Sequence, residues 1–234
     1  MTAVTHPPFG PRRSNVRAKT WWGKAWVRAV EESAYSEGEL RLGRSLSRSG
    51  TLGGITVEPG SLVAAVPDRG EFRSVQVLVP VLDQRDLHAF VEVVAAESGR
   101  IAALLAGELP HTLVEHTEES GVELLPYGGE LDSSCTCAAW TQPCPHAIAV
   151  LYQFAWLLDA DPLVLLLVRG LPREELLAAL HELSLTAPDG DDHIADEMTP
   201  AEQPDLDAAA EAAARARRVL ELLDDPGAPV EHLF

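Results

Sequence analysis

The chain has 234 residues, 46% of them hydrophobic, so it can bury one sizeable core or two small ones. Its net charge of −18 argues against a nucleic-acid partner engaged over the whole surface, and its three cysteines cannot form a disulfide framework without leaving one over. That thiol usage favours a reducing compartment, and we expect a cytoplasmic protein.

The charge is unevenly spread. Residues 1–50 hold nine Lys and Arg against four Asp and Glu, residues 51–180 hold six against eighteen, and residues 181–234 hold three against fourteen. The N-terminal fifth is therefore the candidate phosphate-facing segment, unless it serves only to neutralise acidic neighbours within the fold. Residues 1–19 show no apolar stretch of the kind a secretory signal needs, and their three prolines and four basic residues predict a flexible basic arm.

Thr20 then caps a helix whose Trp21, Trp22, Ala25, Trp26, Ala29 and Val30 recur at helical spacing and read as core. Lys24 and Arg28 lie on its other side. A second short helix over residues 40–49 places Arg41, Arg44 and Arg48 along one edge, with Arg44 and Arg48 the leading phosphate-contact candidates. Ile55 and Val57, then Leu62, Ala64 and Val66, then Val75, Val77 and Val79 alternate with polar or small residues. Turns at residues 58–61 and 67–70 make them an antiparallel meander. Its expected cover is a helix over residues 83–97 with Leu87, Phe90, Val91 and Val94 inward. Shorter helices follow at about 100–107 and 111–119.

All three cysteines fall in Cys135-Thr-Cys137-Ala-Ala-Trp-Thr-Gln-Pro-Cys144-Pro-His146. Three thiolates and an imidazole are a common donor set for one structural zinc ion, and here two x-spaced pairs flank a six-residue loop. His146 would sit on the first turn of an apolar helix over residues 147–158, so the metal would join a hairpin to a helix start. Trp140, inside the loop, is expected as a lid shielding the thiolates rather than as an exposed contact, with Thr136, Thr141 and Gln142 as polar contacts. The apolar tract 147–168 is interrupted by Asp159, Asp161 and Pro162, which reads as two buried helices and no membrane span. A helix over residues 172–185, a polar acidic linker to about 205 and an alanine-rich helix to about 223 complete the chain.

Cys-x-Cys followed by Cys-x-His resembles the SWIM zinc finger. Trp21-Trp22-Gly-Lys-Ala-Trp26, Gly43-Arg-Ser-Leu-Ser-Arg-Ser-Gly50, Leu104-Leu-Ala-Gly-Glu-Leu-Pro110 and Asp161-Pro-Leu-Val-Leu-Leu resemble landmarks of bacterial SWIM zinc finger proteins. Pro145 stands where relatives often carry a basic residue. The resemblance implies one zinc ion at Cys135, Cys137, Cys144 and His146, binding to DNA or proteins, and work beside a Swi/Snf-type helicase.

The expected fold is therefore α+β: a small antiparallel β-meander covered by helices, then a SWIM-type zinc finger of short hairpin plus helix, then a helical C-terminal region. Its segments are 1–19 (arm), 20–125 (α+β domain), 126–185 (finger and following helices), 186–205 (linker) and 206–234 (C-terminal helix and tail). Chemistry other than binding finds little support. His116 and Glu118 upstream of Pro143-Cys144 supply only half of a zinc-deaminase pattern, and four protein ligands leave no open position for substrate. One residue between Cys135 and Cys137 strains a redox disulfide, and no Gly-rich Lys-Ser/Thr phosphate loop is present. We expect no enzyme and no small-molecule substrate. Three readings follow: an accessory protein for such a helicase on DNA, a protein-interaction scaffold that never touches DNA, and a metal or redox sensor.

Overall fold

The computed structural model describes residues 3–15 and 17–186. Five strands form one antiparallel sheet in sequential order: β1 (Val4–His6), β2 (Ile55–Glu58), β3 (Ser61–Asp68), β4 (Glu71–Leu78) and β5 (Asp132–Cys135). The middle three are the predicted meander. Period-two alternation sets its faces: Ile55, Val57, Leu62, Ala64, Val66, Val75 and Val77 are buried, while Ala65, Ser74 and Gln76 face outward. The β3–β4 connection is a two-residue turn, with Arg69 at φ 51 and Gly70 at φ 88. Positive φ at both central positions gives the twist that adjoining strands need.

The sheet grows at both edges beyond the meander. The N-terminal segment expected as a flexible arm supplies β1, with Val4 opposite Val57 and His6 opposite Ile55. Beyond the strand, Phe9 packs edge-on against Trp156 at 5.3 Å between centroids, and the Arg12 guanidinium lies 4.0 Å from the same indole. Main-chain pairing and one aromatic platform order a stretch whose own composition offers little to bury. β5, at the other edge, pairs along β4 with Cys135 opposite Val75, so the first pair of cysteines leaves directly from the sheet.

Eight helices surround this sheet: α1 (Trp21–Ser33), α2 (Glu37–Ser47), α3 (Gln84–Ala95), α4 (Ser98–Leu105), α5 (His111–Glu119), α6 (Pro145–Ala160), α7 (Leu163–Val168) and α8 (Arg173–Thr186). Thr20, Ser36 and Asp83 cap α1, α2 and α3 by accepting from the amides of Gly23, Glu39 and Asp86. The cover of the sheet differs from expectation. α3 packs on α4, α5 and α8, while α6 lies against β4 and α7 against β2. The physical reason is the composition of α6: twelve consecutive residues, Ala147 through Leu158, are buried, so it takes the central position and a one-faced helix such as α3 is displaced outward. Segments 20–125 and 126–186 consequently share one core. No helix of the described residues is long and apolar enough to cross a membrane. The predicted linker and C-terminal helix, from residue 187 onward, lie outside the described residues.

α6 is tied to its neighbours by polar atoms as well as packing. Trp22 and Trp26 of α1 donate their indole N–H groups to Leu158 O at 2.7 Å and Leu151 O at 3.1 Å. The Asp159 carboxylate accepts from Lys19 N (2.8 Å), Thr20 N (2.9 Å) and the Thr20 hydroxyl (2.7 Å), anchoring the entry to α1. α2 crosses α6 at Gly43, where an added Cβ would lie 2.3 Å from Ile148 Cγ2 and 3.2 Å from Pro145 O. Gly43→Ala therefore tests this crossing. In an exposed helix the change would gain about 1 kcal/mol, but here we expect a net loss of about 1–3 kcal/mol from overpacking. The loss is measured by urea denaturation, with zinc retention lowered because the first turn of α6 shifts.

Candidate metal centre

Cys135 ends β5, Cys137 follows on the outgoing chain, and Cys144 is the residue immediately before α6, whose first turn carries His146. Pro145 occupies the first helical position, where a missing N–H costs nothing and a φ near −65° suits the helix. Two rigid elements thus supply three of the four ligands. The three Sγ atoms and one imidazole nitrogen all lie within 4.8 Å of one another. His146 Nδ1 is 3.8 Å from Cys135 Sγ and 3.9 Å from Cys144 Sγ. A tetrahedron with metal–sulfur and metal–nitrogen bonds of about 2.3 and 2.1 Å has edges of about 3.6–3.8 Å, so these two S···N pairs need to close by only a few tenths of an ångström and the widest pair by about 1 Å. The donor set and its spacing fit one zinc ion.

The electrostatics agree. Burial pushes the Cys135 thiol up to about 12 and raises that of Cys144, with the neighbouring sulfurs adding to both. At Cys137 burial also opposes ionisation, but hydrogen bonding from the Ala139 backbone and the adjacent thiols brings the value down. Burial lowers the His146 imidazole, leaving it neutral and available as a ligand. Cys135 and Cys144, whose ionisation burial and the neighbouring sulfurs oppose, need a cation to hold them as thiolates. Arg73, one step along the inner face of β4 from Val75, is fixed by Asp68 (3.2 Å) and Glu71 (3.0 Å) and acts on both Cys137 and His146. A zinc ion with three thiolates and one imidazole would carry one net negative charge, with Arg73 and its two carboxylate partners beside it.

The intervening loop is fastened from within. Thr136 exchanges bonds with Ser74, donating to Ser74 O at 3.1 Å and accepting from Ser74 N at 3.0 Å. Gln142 Oε1 accepts from Cys144 N at 3.1 Å, and the Thr141 hydroxyl donates to Glu39 of α2 at 2.6 Å. These polar side chains, expected as outward contacts, shape the loop. Trp140 corrects a second expectation: it is 92% exposed and is no lid. With its neighbours held inward, the indole is left pointing to solvent.

The other candidates lie apart. His116 meets Arg100 and takes no part in the thiolate cluster. Arg44 donates to the Tyr152 hydroxyl (3.1 Å) and Glu37 (2.9 Å), and Arg48 donates to Arg44 O (3.0 Å) and to Asn15. Both are committed inside the chain, because their side of α2 faces α6 and the N-terminal segment. Arg41, Lys24 and Arg28 are exposed, Arg28 pairing with Glu32 at 2.8 Å. Sequence reasoning missed Arg73 and Arg17, which no motif singles out. The alternation along β4 carries the one available signal for Arg73.

These features define a closed structural site in which two thiolate-bearing elements and a helix start converge on one cation. Residues 121–155, which contain all four candidate ligands, match the SWIM zinc finger family. The chain is also 32% identical over 166 residues to an uncharacterized protein of Mycobacterium tuberculosis, in a match covering 70% of this chain and 59% of that relative. No solved structure matches the chain.

Zinc uptake must displace the protons of Cys135 and Cys144, both protonated at neutral pH without metal. We expect the metal-free protein to release two or more protons per zinc bound at pH 7, read with an indicator in weak buffer, and its affinity for zinc to fall as pH is lowered. Chelation should make all three thiols reactive to a disulfide reagent while far-UV circular dichroism stays nearly constant, because ten of the twelve buried residues of α6 belong to the shared core.

Proposed function

We propose that this chain is a zinc-stabilised accessory protein, working beside a Swi/Snf-type helicase in DNA transactions in the cytoplasm, and that its role is binding rather than catalysis. Four protein side chains complete the coordination of the ion, so zinc would supply a rigid tie between β5, the loop and α6 and nothing reactive. The observation that carries the reading is Trp140, 92% exposed in a loop whose two ends are metal ligands. An indole held out to solvent at this cost is the residue type that most often anchors an interface. Cys137, Cys144, Thr141 and Gln142 hold the loop and so pre-organise the contact, which lowers the entropy lost on binding.

A second reading, a protein-interaction scaffold without DNA contact, is favoured by the acidic balance of the chain outside residues 1–50. Affinity capture from the native cell, with and without nuclease, tests both. The accessory role expects a helicase of the Swi/Snf type to remain bound after nuclease. Trp140→Ala should weaken that capture by about thirtyfold, the effect of an interface anchor worth about 2 kcal/mol, with zinc content unchanged. Equal capture by both forms would remove Trp140 as the contact. A partner of another kind would leave the scaffold reading in its place.

A further inference from the structure

Once ordered, the N-terminal segment does more than extend the sheet. Residues 12–15 and 17–19 are fastened to α2 and α6 by a series of hydrogen bonds. Arg12 N donates to Arg48 O at 3.0 Å, Arg48 donates to Asn15, the Trp156 indole donates to Arg17 O at 2.8 Å, and Asp159 holds Lys19 N. Against the outer side of α1 this leaves an open hollow of about 510 Å³ lined by Asn15, Arg17, Lys24, Val27, Arg28 and Glu31. A smaller hollow shares Asn15 and Arg17 and continues to Arg44 and Arg48. The larger hollow is a basic trough, with Asn15 and Arg17 as the wall it shares with the smaller.

The acid within it is neutralised locally. Glu31 pairs with Arg17 and accepts from the Tyr152 hydroxyl at 3.0 Å, and Tyr152 accepts from Arg44. The tyrosine proton is firmly held, since burial and then the Glu31 charge push it up to about 12. Arg28 pairs with Glu32, but both side chains are more than half or half exposed, at 82% and 50%, so this pair is weak and easily exchanged for a stronger anion. Lys24 has no ion-pair partner among the described residues and stands over the hollow. Arg13 is exposed nearby in sequence. Beyond residue 50 the chain is strongly acidic, so a polyanion meets one attractive surface and is repelled elsewhere.

We propose that this trough binds the phosphate backbone of nucleic acid, with Arg17, Lys24 and Arg28 as the contacts and Arg44 and Arg48 as the residues that position the N-terminal wall. Arginines dominate it, and a guanidinium fork suits phosphate oxygens better than the point charge of lysine. The larger hollow is open to solvent and its lining includes no aromatic side chain, since Tyr152 and Trp156 line only the smaller one. Binding should therefore be indifferent to base sequence and steep in salt. The inference rests on the reading that the chain works on DNA, but it places that contact away from the zinc loop and needs no helicase.

The test uses the full-length zinc-loaded protein and two fluorescein-labelled 20-nucleotide DNA probes of mixed sequence, one single-stranded and one duplex, followed by anisotropy from about 50 to 200 mM salt. Binding of either probe is expected for the wild type, and the stronger one identifies the strand form. Lys24→Glu with Arg28→Glu should weaken it more than tenfold and reduce the slope of log affinity against log salt by about 2, one for each phosphate contact removed. The charge-matched control Arg85→Glu with Arg173→Glu, outside the trough, should change binding less than threefold. Zinc content and circular dichroism confirm that each variant is folded. Equal losses in both double variants would mean a general charge effect and overturn the proposal, as would failure of the wild type to bind either probe at 50 mM salt. If wild type and trough variant bind DNA equally while Trp140→Ala does not, the trough is refuted and the finger loop remains the contact.

Discussion

The structure is built around a helix that can have no solvent side. Twelve consecutive buried residues in α6 require partners around its whole circumference, and α1, α2, α7 and the sheet at β4 and β5 supply them. Burying so much of one element at about 25 cal/mol per Å2 of apolar surface favours assembly, but it leaves every polar atom on that helix needing a partner. Those partners decide the architecture. Tyr152 joins Arg44 to Glu31, Gln153 donates to Ser47 O at 2.8 Å, Trp156 holds Arg17 O, and Asp159 receives the amides before α1. These polar residues of the central helix thereby fix α1, α2 and the residues leading into α1.

The metal ligands inherit this rigidity. Cys144 and His146 bracket the first position of α6, and Cys135 ends a strand paired to β4, so the relative placement of the sulfurs is set by the same core that fixes the helices. Only the stretch between Cys137 and Cys144 depends on the cation for its shape. A zinc site of this kind can contribute on the order of 10 kcal/mol, and in a free-standing finger all of it would go into folding. Here the surrounding core is already formed, so the metal's effect concentrates on one short loop and on the indole it carries.

What could be read from the residues alone follows from how local each signal is. The meander was visible because alternation at Ile55, Val57, Leu62, Val66, Val75 and Val77 is a property of neighbours in sequence, and the cap at Thr20 because capping reaches three residues ahead. The ligand set was legible for the same reason, since four donors within twelve residues can meet without help from the fold. The order of the N-terminal segment was not, because it comes from main-chain pairing to β2 and from Trp156, more than a hundred residues away. The partners of Arg44 are hidden in the same way. Helical spacing places it on an edge with Arg41 and Arg48 but does not reveal that Tyr152 and Glu37 face that edge. Trp140 was misjudged because the loop's polar residues, rather than its aromatic one, supply the inward contacts.

The two surfaces singled out here are separated by the helix they share. Trp140 belongs to the loop tied to the first turn of α6 at His146, and Arg17 is bonded to Trp156, ten residues further along. At 1.5 Å per residue those attachment points are about 15 Å apart, beyond the 7–10 Å within which substitutions usually couple. Nothing in the polar network joins them directly, because the bonds of Tyr152, Trp156 and Asp159 run sideways to α1, α2 and the N-terminal segment rather than along the helix. Loss of the metal should therefore release the loop and leave the trough in place. A ligand in the trough would bear on α1 and residues 12–19 without moving the cysteines. Electrostatic capture at the one surface and recognition at the other could then be adjusted independently on one rigid frame.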